Sequence, residues 1–199
     1  MDELSKYKDY ANKVINGEIV ACEYIKLACK RYLSFFDNND MIFRPEEVER
    51  VIKFISKFKH FTGSHYGSFF ILQDWQKFII YNIYGFFYKS TGKRVTNNVY
   101  IEVARKNGKT ALISMLSLYA LIGDREQNAQ VILAATSAKQ AKICYDMCSK
   151  YLKPIDEKNK YFQRYRDNIR FNATDSTLFI VAADAKKLDG YNASFFVCD

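Results

Sequence analysis

The residues best suited to chemistry lie in one short segment, Arg105 to Thr110, with the sequence RKNGKT. Gly108 allows close approach of the backbone to a ligand, the Lys109 ammonium can reach the β- and γ-phosphates of a nucleotide, and the Thr110 hydroxyl can ligate Mg²⁺. These are the roles of a Walker A loop, but the first glycine of that pattern is replaced here by Val103. A basic surface turn that ends in Gly-Lys-Thr by chance therefore stays open for this segment alone.

Apolar runs flank the RKNGKT segment. The run Val99 to Ala104 predicts a buried strand, and the run that follows, as far as Leu121, has helical character. A loop between a strand and a helix N-terminus directs several backbone N–H groups at one point, where the helix dipole also favours negative charge. The sequence therefore predicts a strand, a phosphate-binding loop and a helix.

A second strand and helix follow. Ala129 to Ala135 is apolar and predicts a strand, and Ser137 and Gln140 have capping-box spacing before a helix predicted over Ala138 to Leu152. Alternating strands and helices favour parallel pairing, and ligands of such sheets bind at the carboxyl ends of the strands. Thr136 follows the second strand at such an end.

Apolar residues at the end of the sequence, Ser194 to Cys198, predict a strand that leads into Asp199. An acid at that place in a P-loop site holds Mg²⁺. Between this strand and the second helix, Asn168 to Phe171 and Leu178 to Ala182 flank a polar turn and predict a hairpin. The phosphate loop, the alternating elements and the final acid agree with one another and predict a P-loop NTPase.

The first part of the chain predicts helices and carries no assigned chemistry. Helices are expected over Ser5 to Gly17, over Ala21 to Phe35, and from Pro45 to Phe58. His60 to Ser68 contains two glycines and predicts a linker in which His65 is solvated. We therefore expect a helical segment over residues 1–67 and a P-loop core over residues 68–199.

Gln76 stands at the head of the aromatic-rich segment Phe69 to Phe87. A carboxamide carries an acceptor and donors and can pair with the edge of adenine. A structural role for Gln76 is the alternative.

The composition limits the classes of partner. The 199 residues carry a formal net charge of +8, which makes a polyanionic partner plausible without naming it. Five cysteines without CxxC spacing and two histidines argue against a zinc site, and we expect reduced thiols. No long uncharged apolar run occurs and the N-terminus is charged, so we expect a soluble chain without a signal peptide. The basic segment Asp156 to Arg170 either contacts a phosphate backbone or forms a solvated loop.

The sequence resembles the N-terminal ATPase part of the large subunit of tailed-phage terminases of the HK97-like family. The matching pieces follow the family's order over nearly the whole chain: Gly17–Cys22, Arg50–Phe54, Leu72 with Trp75–Phe78, Thr91–Arg94, Ala104–Thr110, Ala135–Thr136 with Gln140–Ala141, and Leu188–Gly190. The resemblance implies a RecA/ASCE-like α/β fold, a parallel sheet flanked by helices, incomplete at the C-terminus and preceded by an N-terminal helical layer.

The resemblance also implies site residues and cofactors. ATP and Mg²⁺ are the expected cofactors, with Trp75 and Gln76 at adenine, Arg105 to Thr110 around the phosphates, and Thr110 with Asp199 at the metal. Arg105, Lys109 and Asp199 are the expected catalytic residues, with Arg105 sensing or stabilising the γ-phosphate. Thr136 and Gln140 would form a segment that relays the nucleotide state.

The implied activity is ATP hydrolysis that drives double-stranded DNA into a procapsid. The implied partners are DNA, the portal protein, the small terminase subunit and further copies in a ring, in the host cytoplasm and without a membrane. In the family a catalytic glutamate follows the Walker B aspartate, and a nuclease domain comes after it, whereas this sequence ends at Asp199. The rivals are another DNA-translocating P-loop motor of helicase or restriction type, and a non-catalytic nucleotide-binding remnant.

Overall fold

The computed structural model describes residues 3–124, 126–182 and 190–198. The chain divides into two compact units. Unit 1 comprises the described residues of Met1–Lys57 and Phe69–Glu102, and unit 2 those of Phe58–Ser68 and Val103–Asp199. The boundaries of these units differ from those of the predicted domains 1–67 and 68–199. The two domains stay a prediction.

Unit 1 is mainly helical, as the sequence predicts. Pro45 occupies the first turn of one helix, followed by Glu46 and Glu47 at its positive end, which is the arrangement expected for a helix start. The elements of this unit are α1 (Ser5–Ile15), α2 (Glu23–Phe36), β1 (Met41–Phe43), α3 (Pro45–Ile55), α4 (Asp74–Tyr84) and β2 (Phe86–Tyr88).

The core of unit 1 is a cluster of aromatic rings around Phe86. The Phe86 ring lies 4.9 Å from Phe36, 5.0 Å from Phe43 and 5.5 Å from Tyr32 between centroids, in edge-to-face contacts. β1 and β2 pair antiparallel with Phe43 opposite Phe86, so this short ribbon delivers two of the rings. The sequence did not predict the ribbon, because three-residue strands leave no periodic pattern.

Unit 2 contains a five-stranded mixed sheet in the order β4-β5-β6-β3-β7. β3 pairs parallel with β6 on one side and with β7 on the other, whereas β4, β5 and β6 pair antiparallel. The predicted hairpin is confirmed as β5 and β6. The elements are α5 (Lys109–Ile122), β3 (Gln130–Ala135), α6 (Ala138–Leu152), β4 (Phe162–Arg164), β5 (Asn168–Phe171), β6 (Ser176–Ala182) and β7 (Phe195–Cys198).

The centre of unit 2 is apolar. Val131, Ile132 and Leu133 of β3 are at most 1% exposed, and α5 and α6 both contact this strand. A strand that is covered on both faces needs apolar side chains at successive positions, which explains the uninterrupted apolar run of β3. The buried thiols Cys144 and Cys148 belong to the α6 side of this core.

One predicted strand does not form. Residues 99–104 carry no regular secondary structure, and Val99 and Tyr100 are 48% and 87% exposed. A strand is stabilised by backbone pairing with a neighbour and by cover for its side chains. No strand within the described ranges pairs with these residues, so their apolar composition alone does not make them a strand. The predicted strand before the phosphate loop is therefore wrong.

Candidate functional site

The segment Arg105 to Thr110 forms a tight loop and the start of a helix in unit 2. Gly108 is the N-cap of α5 and adopts a left-handed conformation with φ of 77°. Lys106 is also left-handed, with φ of 69°, which is uncommon for a residue with a side chain. The Asn107 side-chain amide donates to the Ala104 carbonyl at 3.1 Å. Two left-handed residues and one internal hydrogen bond thus turn the backbone sharply into α5.

The start of α5 differs from the start of α6. The Ser137 hydroxyl caps α6 by accepting from the Gln140 backbone N–H at 3.3 Å. Gly108 at the same position of α5 has no side chain with which to cap. The first N–H groups of a helix have no acceptor within the helix, so the loop offers donors to an external anion.

The loop is positively charged and accessible. Arg105 and Lys106 are exposed, Lys109 and Thr110 are partly exposed, and the segment contains no acid. Consecutive backbone N–H groups in such turns form concave anion sites, and the cations add to their field. This donor set fits the triphosphate of a nucleotide, with the Thr110 hydroxyl as a hard oxygen ligand for Mg²⁺.

Buried residues of unit 2 hold the first turn of α5 in place. The buried Ser114 hydroxyl donates to the Thr110 carbonyl at 2.7 Å and lies 3.1 Å from the Cys144 sulfur of α6. Leu112 and Met115 are 1% and 0% exposed. The phosphate loop is therefore mounted on a helix held in the core of unit 2. Sequence reasoning missed Ser114, although its spacing of four residues from Thr110 is a usable signal.

The segment predicted to relay the nucleotide state lies at the carboxyl end of β3. The Thr136 hydroxyl donates to the Gln140 carboxamide oxygen in a short hydrogen bond. Gln140 thus holds Thr136 through its side chain and Ser137 through its backbone. The side chains of Thr136 and Gln140 are therefore in contact, as expected for residues that act together. Their role in relaying the nucleotide state stays a prediction.

The predicted adenine residues belong to unit 1. Trp75 and Gln76 occupy the first turn of α4. Gln76 is 5% exposed, and its carboxamide oxygen accepts from the Gln73 backbone N–H at 2.9 Å in a capping box that Gln73 reciprocates. This hydrogen bond uses the carboxamide oxygen of Gln76 and not its amide donors. The adenine role of Trp75 and Gln76 stays a prediction.

The predicted metal ligand Asp199 lies outside the described residues, as do Leu188 and Asp189. The strand that leads to Asp199 is confirmed as β7, which pairs parallel with β3. A site shared by Thr110 and Asp199 stays a prediction. No cluster of three or more metal-binding side chains occurs among residues 3–124, 126–182 and 190–198.

The family model for the terminase large subunit ATPase domain matches residues 74–199. The chain belongs to this family. The matched range begins at α4 and includes the phosphate loop, both flanking helices and all strands of the sheet in unit 2.

A sequence comparison and a structural comparison both match the large terminase of one phage and agree with this assignment. The terminase large subunit of Enterobacteria phage HK97 is 35% identical over 104 residues, which is 51% of this chain and 19% of that protein. The crystal structure of the HK97 bacteriophage large terminase matches with a TM-score of 0.62 and 25% identity, over 76% of this chain and 30% of that one. In both comparisons the chain spans less than a third of the length of the matched protein.

The terminase ATPase family implies use of a nucleotide, which the donor set of the phosphate loop fits. Within the part of the chain that the structure describes, no helix combines the length and apolar character needed to cross a membrane.

Proposed function

We propose that this chain is the ATPase portion of a viral DNA-packaging terminase large subunit, which couples ATP hydrolysis to translocation of double-stranded DNA into a procapsid. The observation that carries the proposal is the uncapped, basic start of α5 after Lys106 and Gly108, within a chain of the terminase ATPase family. Portal protein, small terminase subunit and a ring of copies are the proposed partners, in the cytoplasm of the host.

The phosphate loop has the following proposed roles. The N–H groups that begin α5 bind the phosphates, and Lys109 neutralises the β- and γ-phosphate oxygens. Arg105 stabilises charge that develops on the γ-phosphate during transfer. Thr110 and Asp199 hold Mg²⁺, which when bound screens the phosphate charge and orients the nucleotide.

Gln76, one of the two proposed adenine residues, would have both a structural role and a binding role. Gln76 already completes the capping box of α4 with its oxygen, so its amide donors would face the acceptors of the base. Trp75 supplies an apolar surface beside it. Gln76→Ala should weaken ATP binding more than GTP binding. An equal loss for both nucleotides would assign Gln76 to structure alone.

The proposal is tested by calorimetric titration of Mg-ATP into the chain and its Lys109→Ala variant, with a thermal melt of each. We expect wild type to bind and Lys109→Ala to lose about 10- to 100-fold in affinity, since a hydrogen bond to a charged group contributes about 1.5–3 kcal/mol. The matched control is Lys93→Ala, which removes a lysine from another exposed Gly-Lys pair, in a turn of unit 1. Equal affinity in Lys109→Ala and wild type would refute the phosphate site.

Catalysis and DNA coupling need a second measurement. Phosphate release by the chain is measured with and without double-stranded DNA. We expect a higher rate of release when DNA is present. Binding of Mg-ATP without any DNA-stimulated hydrolysis would favour a non-catalytic nucleotide-binding chain.

A further inference from the structure

Both histidines of this sequence lie side by side in one loop of unit 2. The imidazole rings of His60 and His65 are 5.5 Å apart between centroids, and their planes are inclined by 43°. His60 is partly exposed and His65 is exposed, so solvent reaches this pair of residues. The range that the terminase family model matches begins only at residue 74, so the family match does not include this pair.

Backbone hydrogen bonds close the loop between His60 and Ser68. The His60 N–H donates to the Ser68 carbonyl at 2.9 Å, and the Gly67 N–H donates to the His60 carbonyl at 2.8 Å. The Ser68 N–H and hydroxyl both donate to the His65 carbonyl, at 3.0 Å and 2.6 Å. The backbone of both histidines is therefore bonded to the end of the loop, which keeps the two side chains close together.

Aromatic contacts hold the same loop on α6. The rings of Phe58 and Phe61 lie 5.1 Å and 5.0 Å from the Tyr151 ring between centroids. Phe58 and Tyr151 are 2% and 4% exposed, so these contacts belong to the core of unit 2. A loop that is already closed and anchored loses little conformational freedom when its side chains bind a ligand, and this favours affinity.

The separation of the two rings suits a shared metal ion. A zinc-like ion binds an imidazole nitrogen at about 2.0–2.1 Å, which places the ring centroid about 3.2 Å from the ion. Two such rings at a tetrahedral angle have centroids about 5.2 Å apart. The observed separation of 5.5 Å is close to this value. The terminal torsion of histidine is broad, so rotation of each ring can aim one nitrogen at the ion.

We propose that His60 and His65 chelate one divalent ion of the late transition series, such as Zn²⁺ or Ni²⁺, with water in the remaining positions. Imidazole suits these ions, whereas Mg²⁺ and Ca²⁺ prefer oxygen ligands. The sequence from Phe58 to Ser68 contains no Asp or Glu, so the loop offers no carboxylate to Mg²⁺. A site with two histidines differs from a structural zinc site of four side chains, against which the sequence argues.

Calorimetric titration of NiCl₂ into the untagged chain, without nucleotide, tests the proposal. The exposed Cys22 and Cys198 are changed to serine in the parent protein, because thiolates also bind such ions. We expect one Ni²⁺ per chain. His65→Ala should lose at least about 10-fold in affinity, since the second imidazole of a chelate binds at high effective concentration.

The matched control is Ser64→Ala, which changes the exposed neighbour of His65 and should bind Ni²⁺ like the parent. A thermal melt of each protein checks folding, and Ni²⁺ should raise the melting temperature of the parent but not of His65→Ala. A folded parent that binds no Ni²⁺, or equal affinity in the parent and His65→Ala, would overturn the proposal.

X-ray absorption at the nickel edge identifies the ligands. We expect scattering from two imidazole rings and from water oxygens. A single imidazole, or sulfur as a ligand, would contradict the chelate.

The metal site does not use the phosphate loop, so its test is separate from that of the proposed ATPase function. Lys109→Ala in the same background should bind Ni²⁺ like the parent, whether or not the chain binds Mg-ATP. Loss of Ni²⁺ binding in a folded Lys109→Ala protein would place the ion at the phosphate loop and refute the histidine site.

Discussion

Two loops of unit 2 gather backbone N–H groups, and they differ in the source of the anion. In the loop after α6, the carboxylate of Asp156 accepts from the N–H groups of Lys160, Tyr161 and Phe162 at 2.7 to 2.8 Å. In the loop before α5, the N-cap residue Gly108 makes no side-chain capping hydrogen bond. The first loop carries its own anion, whereas the second has no side-chain cap at its helix start.

The comparison shows that a cluster of backbone N–H groups can either stabilise the protein itself or bind a ligand. Asp156 is 5% exposed, and the Arg164 guanidinium donates to the backbone carbonyl of Asp156 at 3.0 Å. A second basic residue of this segment, Arg170, pairs with Asp175. The choice between a solvated loop and a contact with a phosphate backbone for Asp156 to Arg170 stays a prediction.

The largest expected effect comes from removing the internal anion. Asp156→Ala leaves three N–H groups without their acceptor, and each such donor costs about 1–3 kcal/mol, of which water recovers a part. We expect the free energy of unfolding to fall by about 3–5 kcal/mol in urea titration. Glu157→Ala, which changes the exposed neighbouring acid, should cost less than about 0.5 kcal/mol. Equal costs would mean that the carboxylate does not hold the loop.

The next effect concerns the backbone of the loop before α5. Gly108→Ala puts a Cβ on a left-handed residue with φ of 77°, which costs about 1–2 kcal/mol and displaces the start of α5. We expect lower stability and at least about a 10-fold loss of Mg-ATP affinity, which corresponds to about 1.4 kcal/mol.

The matched control for this change is Gly92→Ala. Gly92 has φ of 65° and open space around it, in a turn of unit 1. It should lose similar stability and bind Mg-ATP like wild type. If both variants lose affinity equally, backbone strain in general, and not the shape of the phosphate loop, explains the result.

The internal anion also predicts a pH dependence. Burial raises the pKa of Asp156, but the hydrogen bonds from Phe162, Lys160 and Tyr161 together with the charge of Arg164 bring it below the ordinary value for aspartate. The unfolded chain therefore binds the proton more readily.

The contribution of Asp156 to stability is thus present above the unfolded pKa of about 3.9 and is lost as the pH falls through the folded pKa. Urea titrations between about pH 5 and pH 2 should show a shallower fall in stability for Asp156→Asn than for wild type. Parallel curves would place the origin of the acid sensitivity elsewhere.

The smallest effect comes from Lys106. A left-handed lysine is strained and glycine is not, but glycine also gains entropy in the unfolded chain. We expect Lys106→Gly to raise the free energy of unfolding by about 0.5 kcal/mol. Lys158→Gly, at an exposed turn residue without a positive φ, should lower it. A loss of stability in Lys106→Gly would show that the lysine side chain outweighs the strain of its backbone.

Some features of this protein were determined by local sequence. Gly-Lys-Thr before an apolar run predicted the loop and α5, and Ser137 with Gln140 predicted the start of α6. These signals act within one helical turn, so no distant contact is needed to read them. The family resemblance was readable for the same reason, because its motifs are short and ordered along the chain.

Other features depended on contacts between distant residues. The run Val99 to Ala104 has the composition of a strand, yet it forms none, because pairing and cover decide that outcome. The enclosed carboxylate of Asp156 was not predicted either, although its three N–H partners lie only four to six residues further along the chain. The sequence by itself thus determined the helix starts and the phosphate loop, while the tertiary structure decided which apolar runs became strands. The physical reason is that caps and turns are satisfied by neighbours in sequence, whereas strands are satisfied only by neighbours in space.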